Sequence, residues 1–147
     1  EPVCAILGDN VYFDDLASVI ADFRGGAHLF LKSVPDPERF GVAELQDGKV
    51  VSLEEKPSRP KSELAVTGCY VYDGRCFDAI RSLVPSARGE YEITDLSRWY
   101  LEKGELQATV LRDEWIDAGT LRERRMQVKD VAAMKAAEAK AARGVAA

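Results

Sequence analysis

The chain has 147 residues, enough for one domain with a core of its own. Its 20 basic and 25 acidic residues leave a formal net charge of -5, which argues against the basic face that a nucleic-acid partner requires. No apolar run approaches the roughly 20 residues of a membrane-spanning helix, and a 46% hydrophobic, 31% charged composition is that of an ordinary globular protein.

Three cysteines, Cys4, Cys69 and Cys76, are odd in number and lack ligand spacing, so they read as reduced thiols of a cytoplasmic protein. The chain opens Glu1-Pro2 with no basic leader segment, and its first residue is not Met, which leaves open that it is a piece of something longer.

Residues 2–7 form a short apolar run without alternation, the pattern of a parallel strand buried on both faces. It breaks at Gly8-Asp9-Asn10. Leu16, Val19, Ile20 and Phe23 then recur at helical spacing, with Asp14 placed to cap the helix and Gly25-Gly26 to end it. Residues 27–34 are the next strand, so the opening reads as a βαβ unit, which implies a parallel sheet. Residues 40–45 and 49–55 are two strands around Gln46-Asp47-Gly48, a hairpin signal. Residues 64–72 form another strand, in which Gly68 implies a close backbone approach.

A helix follows with Phe77, Ile80 and Val84 on one face, closed by Pro85. The loop Ser86-Ala87-Arg88-Gly89-Glu90 leads to a second helix bearing Ile93, Leu96 and Tyr100, stopped by Gly104. Residues 106–111 are a late strand. Thr120 and Glu123 have the spacing of a capping box. Residues 1–130 form one unit, and residues 131–147 are an Ala/Lys-rich helical tail with little to bury.

Several charges fall where chemistry could sit. Asp9 follows a strand directly, and ligands of open α/β sheets collect beyond strand carboxyl ends. With Asp117 it makes a plausible Mg²⁺ pair, since magnesium takes one or two carboxylates beside phosphate oxygens and water. Leu53-Glu54-Glu55-Lys56-Pro57 ends a strand in fixed charges. There Pro57 biases Lys56 toward an extended conformation. Glu55 can accept from hydroxyls, and Lys56 and Arg88 suit a phosphate. The bland alternatives are a solvated strand end for Glu55 and Lys56, turn or cap residues for Asp9 and Asp117, and an ordinary loop arginine for Arg88. His28 reads as structural. Trp99 and Trp115 read as core. No Ser/His/Asp set and no Walker loop is present.

The order of Leu7-Gly8-Asp9-Asn10, Asp36-Pro37-Glu38-Arg39-Phe40-Gly41-Val42, Ser52-Leu53-Glu54-Glu55-Lys56-Pro57, Ala65-Val66-Thr67-Gly68, Pro85-Ser86-Ala87-Arg88-Gly89-Glu90-Tyr91-Glu92-Ile93-Thr94-Asp95 and Trp115-Ile116-Asp117-Ala118-Gly119-Thr120 resembles the sugar nucleotidyltransferases, most closely their thymidylyltransferase branch. The resemblance spans about the first 125 residues. It implies a three-layer α/β sandwich with a mostly parallel, mixed sheet, incomplete at its amino-terminal side. It also implies glucose 1-phosphate and a pyrimidine nucleoside triphosphate (dTTP or UTP) as substrates, with Mg²⁺ on Asp9 and Asp117.

By matching positions, Glu55 looks like the sugar-hydroxyl contact and Lys56 and Arg88 the phosphate contacts. Gly41 and residues 66–70, Val66 and Tyr70 among them, would line the sugar pocket. The family's opening Gly-rich, Arg-containing nucleotide loop has no match here. Two readings follow: an enzyme that needs that segment, or a non-catalytic sugar-phosphate-binding domain derived from the family. An uncovered sheet edge, an association hazard, implies a homo-oligomer.

Overall fold

The structure, a computed structural model, describes residues 1–119. The expected helical tail and the expected Thr120–Glu123 capping box lie outside the described residues.

The strand β6, Leu64–Tyr72, is the axis of the fold. Eight of its nine residues are buried, as befits an apolar strand covered on both faces. The strand β3, Ala27–Ser33, pairs antiparallel along one edge of β6, and β7, Leu106–Val110, pairs parallel with β3 beyond it. Two short strands share the other edge. At one end β1, Val3–Ile6, runs from Val3 opposite Tyr72 to Ile6 opposite Cys69. At the other end β4, Gly41–Gln46, places Val42 opposite Ala65, and β5, Lys49–Glu55, pairs with β4. Residues 66–68 of β6 fall between these two partners, and that gap positions the site.

The sheet is mixed, as expected, but its balance of directions differs from a mostly parallel one. β3 and β7 are the parallel neighbours, and the other pairings are antiparallel. β1 and β3 do run in the same direction, yet β6 lies between them. The longer apolar strand takes the central slot, and β1 is displaced to the rim with its side chains alternately half-buried and exposed. The Asp47-Gly48 turn is as read from the sequence: both residues have positive φ, 50° and 75°, the requirement of a tight hairpin turn.

Helices cover both faces. On one, α1, Ala17–Ala21, packs Leu16, Val19, Ile20 and Phe23 against Phe30, Cys69, Val71 and Leu111. Asp14 does not cap this helix. Its carboxylate accepts the backbone N–H groups of Arg112 and Asp113, and Asp15 takes the Ala17 N–H instead.

On the other face lie α2, Cys76–Ser82, and α3, Ile93–Leu101. Leu96 and Tyr100 of α3 are buried as expected, and Tyr100 stacks on Tyr72 at 5.7 Å. The α2 helix is rotated from its expected setting. Its small residues Cys76 and Ala79 face the sheet, which lets the helix approach closely, while Phe77, Ile80 and Val84 are exposed. A two-stranded ribbon unseen in the sequence, β2 (Asn10–Tyr12) with β8 (Trp115–Asp117), completes the layer around α1. Three residues per strand are too few to show a period.

Candidate functional site

β1 stops at Ile6, and the chain makes one more contact with β6, Leu7 N–H to Gly68 C=O at 2.8 Å, before turning away. β6 bulges here: its register with β3 shifts between Leu29 and Leu31, so residues 67–69 face Phe30 alone. Bulges re-aim side chains and occur beside functional clefts. Between the loop after β1, the start of β4 and this bulge lies a cleft of about 270 Å³. Asp9, Gly41, Glu55, Lys56, Val66, Tyr70 and Asp117 all line it.

Gly68 answers its sequence signal. A Cβ there would lie 2.7–2.9 Å from the Asn10 side chain, so the close approach is to that amide. Asn10 is the hub of this wall. Its Oδ1 accepts from Gly68 N–H at 3.1 Å and Trp115 Nε1 at 2.7 Å, while its Nδ2 donates to Asp9 Oδ1 at 2.9 Å. The Asp9 carboxylate is thereby oriented by a neighbour that is itself fixed.

Asp117 arrives by the β2–β8 ribbon, opposite Asn10 in register. Asp9 Oδ2 and Asp117 Oδ1 lie 3.5 and 3.1 Å from the point where a Cβ on Gly119 would sit, so both carboxylates face one small space. Asp117 Oδ1 also accepts from the Gly119 N–H at 3.0 Å, as a turn residue does. Two hard oxygen donors are the kind Mg²⁺ takes; no cluster of three or more His, Cys, Asp or Glu ligands occurs among the described residues.

Glu55 ends β5 on the opposite wall. Its Oε2 accepts a short hydrogen bond from Thr94 Oγ1 at the start of α3, which locks the carboxylate. Gly41 leaves space here that a side chain would crowd, since a Cβ would meet Thr94 Oγ1 at 3.1 Å and Glu55 Oε2 at 3.3 Å. Tyr70 is buried beside Glu55, and burial pushes its phenol well above the usual range, so it remains a neutral hydroxyl.

Lys56 departs from the sequence reading. Despite Pro57, its φ is +43°, in the left-handed region, and its N–H donates to Phe40 C=O at 2.9 Å. A non-Gly residue held there costs of order 1–3 kcal/mol and tends to mark a functional position. Lys56 is exposed and lines the cleft.

Arg88 sits at the rim. Its Nη2 is 2.8 Å from Glu90, and its Nη1 is 3.6 Å from Glu92 and 4.0 Å from Glu55. Both were expected at the sugar's phosphate, but Lys56 lines the cleft and Arg88 does not. Carboxylates already occupy Arg88.

Sequence reasoning passed over Asn10, Glu92, Thr94 and Trp115. Trp115 was read as core, but it is half-buried, lines the cleft and packs edge-on against Phe40 at 5.3 Å. Asn10 and Thr94 lay inside quoted motifs. Asn10 neighbours the candidate Asp9, a signal that carries no geometry, and Thr94 had no signal beyond the motif.

Two carboxylates, a locked glutamate and a strained lysine thus stand around the gap in a mixed α/β sheet. A family model described as nucleotidyl transferase matches residues 1–132, and the chain belongs to that family. Within it, the chain is 47% identical over 127 residues to the glucose-1-phosphate thymidylyltransferase of Neisseria meningitidis, covering 82% of this chain and 44% of the relative. It is 48% identical over 127 residues to the enzyme of that name from Xanthomonas campestris, covering 82% and 43%.

Among solved structures, a Bacillus anthracis protein described as a glucose-1-phosphate thymidylyltransferase in complex with sucrose superposes with a TM-score of 0.79 at 47% identity, covering 85% of this chain and 52% of that one. A UDP-glucose pyrophosphorylase at 22% identity and a TM-score of 0.72 shares the fold. The chain spans less than half the length of these curated relatives.

Proposed function

We propose that this chain carries the sugar-phosphate side of a nucleotidyltransferase joining glucose 1-phosphate to a pyrimidine nucleoside triphosphate, dTTP or UTP, with release of pyrophosphate. The observation that carries this reading is the convergence of Glu55, Lys56, Asp9 and Asp117 on one cleft of about 270 Å³, in a chain of this family. In the reaction, an oxygen of the sugar phosphate attacks the α-phosphorus of the triphosphate and pyrophosphate leaves. Such a transfer needs positioning and charge neutralisation and no side-chain nucleophile.

In this reading Glu55, fixed by Thr94, accepts from sugar hydroxyls. Gly41, Val66 and Tyr70 shape the sugar pocket. Lys56 and Arg88 hold the sugar's phosphate. Asp9 and Asp117 would hold Mg²⁺, which when bound neutralises phosphate charge. Two further parts of the proposal are a cytoplasmic location, favoured by free Cys4, Cys69 and Cys76, and a homo-oligomer. The second is favoured by the exposed Ile6 and Leu7 at and beside the rim strand β1. No helix among the described residues is long and apolar enough to cross a membrane.

A pyrophosphate-release assay with glucose 1-phosphate and each nucleoside triphosphate, with and without Mg²⁺, tests turnover. Calorimetric titration of glucose 1-phosphate tests the pocket alone. Binding without turnover would favour the second reading, a sugar-phosphate-binding domain, and absence of both would reject the assignment.

A further inference from the structure

The loop that carries Arg88 also carries a competitor for it. Ser86 N–H donates to Glu90 C=O and Gly89 N–H to Ser86 C=O, each at 2.8 Å, and Gly89 has a φ of +75°. The loop is thus a compact, self-bonded unit that sets the side chains of Arg88 and Glu90 together at 2.8 Å. Glu92, the residue before α3, is held from the other side. Its Oε1 accepts from Ser86 Oγ at 3.0 Å, and its side chain is only 12% exposed. Arg88 Nη1 lies between Glu92 and Glu55, and both of those carboxylates line the cleft while Arg88 stands behind them. A guanidinium so placed cannot make a bidentate contact to a phosphate in the cleft without leaving at least one of these partners.

We propose that Glu90 and Glu92 are positioning residues that hold Arg88 in a resting place at the rim, so that phosphate binding is an exchange in which a dianion displaces Glu90 from the guanidinium. This rests on the sugar-phosphate reading of the cleft. The exchange is favourable because the incoming phosphate carries about twice the charge of the carboxylate it replaces, and it is shallow because the Arg88–Glu90 pair is exposed, 45% and 60%, and screened. Glu90 makes the closer contact, at 2.8 Å against 3.6 Å, while Glu92 is the less exposed of the two and is tied to Ser86. Affinity for the phosphate is then set partly by these two carboxylates through their hold on Arg88.

The test is titration of glucose 1-phosphate, and separately inorganic phosphate, into the chain and its Glu90→Gln and Glu92→Gln variants, each repeated in an Arg88→Ala background. Glutamine keeps the acceptor for Ser86 and removes only the charge, and thermal unfolding verifies that each variant is folded. The expected result is tighter binding, by up to about fivefold in Glu90→Gln and in Glu92→Gln. The gain should vanish when Arg88 is Ala. Unchanged or weaker binding in both variants, or a gain that survives in the Arg88→Ala background, overturns the exchange while leaving the sugar-phosphate reading intact. Failure of the folded parent to bind glucose 1-phosphate overturns both.

Discussion

Two arginines of this protein each sit among carboxylates, and they behave differently. Arg75 is bonded to Asp73 at 2.6 Å and Glu105 at 2.5 Å and lies over the Tyr100 ring at 5.7 Å. Asp73 in turn accepts from the buried Gly26 N–H at 2.8 Å and the Tyr100 hydroxyl at 3.0 Å. The donors Gly26, Arg75 and Tyr100 lie just before β3, just before α2 and within α3, and the acceptors Asp73 and Glu105 follow β6 and precede β7, so the cluster joins the ends of several elements. Arg88 has one close partner, Glu90, from its own loop, and two looser ones that belong to the cleft wall. The first arrangement is over-determined and fixes the fold. The second is under-determined, and a ligand with more charge can reorganise it. Closeness and the number of elements joined distinguish a structural ion cluster from a reactive one.

The comparison breaks most visibly at Asp73. Asp73→Ala leaves the Gly26 N–H and the Tyr100 hydroxyl without their acceptor, at a cost of about 3 kcal/mol. Thermal unfolding should show Tm lowered by roughly 10 °C, with glucose 1-phosphate affinity unchanged in the protein that remains folded. A small stability change there would show that the cluster is not structural.

Lys56→Ala should do the reverse. It removes one charge-assisted phosphate contact, worth roughly 1.5–3 kcal/mol, so calorimetry should find glucose 1-phosphate bound on the order of tenfold more weakly. Tm should stay level or rise slightly, because the replacement does not worsen the strained φ. Equal affinity would mean that Lys56 is a solvated strand end.

Acid separates the clusters in a graded way. Arg75 beside Asp73, helped by the Gly26 N–H, holds that carboxyl well below the usual carboxylate range. A depressed folded value means that its stabilisation is complete above the unfolded value near 4 and is lost as pH falls through and below it. Urea midpoints measured from pH 6 downward should therefore fall below about pH 4 in the parent and fall less steeply in Asp73→Asn. Parallel slopes would remove Asp73 from the acid response.

Glu55→Gln should have the smallest effect. The amide still accepts from Thr94, so the pocket keeps its shape and Tm, and discrimination between glucose 1-phosphate and its sugar epimers should be blunted by a few-fold, while inorganic phosphate binds as before. Matched titrations of the epimers decide it.

Much of the cleft was legible one residue at a time. Asp9, Glu55, Lys56 and Asp117 stood out because charge at a strand end or beside a glycine is a local signal. Gly68 announced a close approach, one of the reasons a strand interior carries a glycine. Arg88 was legible as a phosphate candidate, but its partners were not, because Glu55 and Glu92 reach it only after β5 and α3 have packed. The ribbon of β2 and β8, which brings Asp117 opposite Asn10, was invisible for the same reason.

The sequence alone determined what depends on neighbours along the chain: the hairpin at Asp47-Gly48, the extent of β6, the buried face of α3 and the identity of the charges. Tertiary structure decided what depends on competition between segments. It chose β6 over β1 for the central slot, because the longer apolar strand gains more from two covered edges. It turned α2 so that Cys76 and Ala79 faced inward and Phe77 outward, because close approach to the sheet required small residues. It set Lys56 at a positive φ against the preference set by Pro57, at the point where its N–H donates to Phe40 one step beyond the last β4–β5 pair.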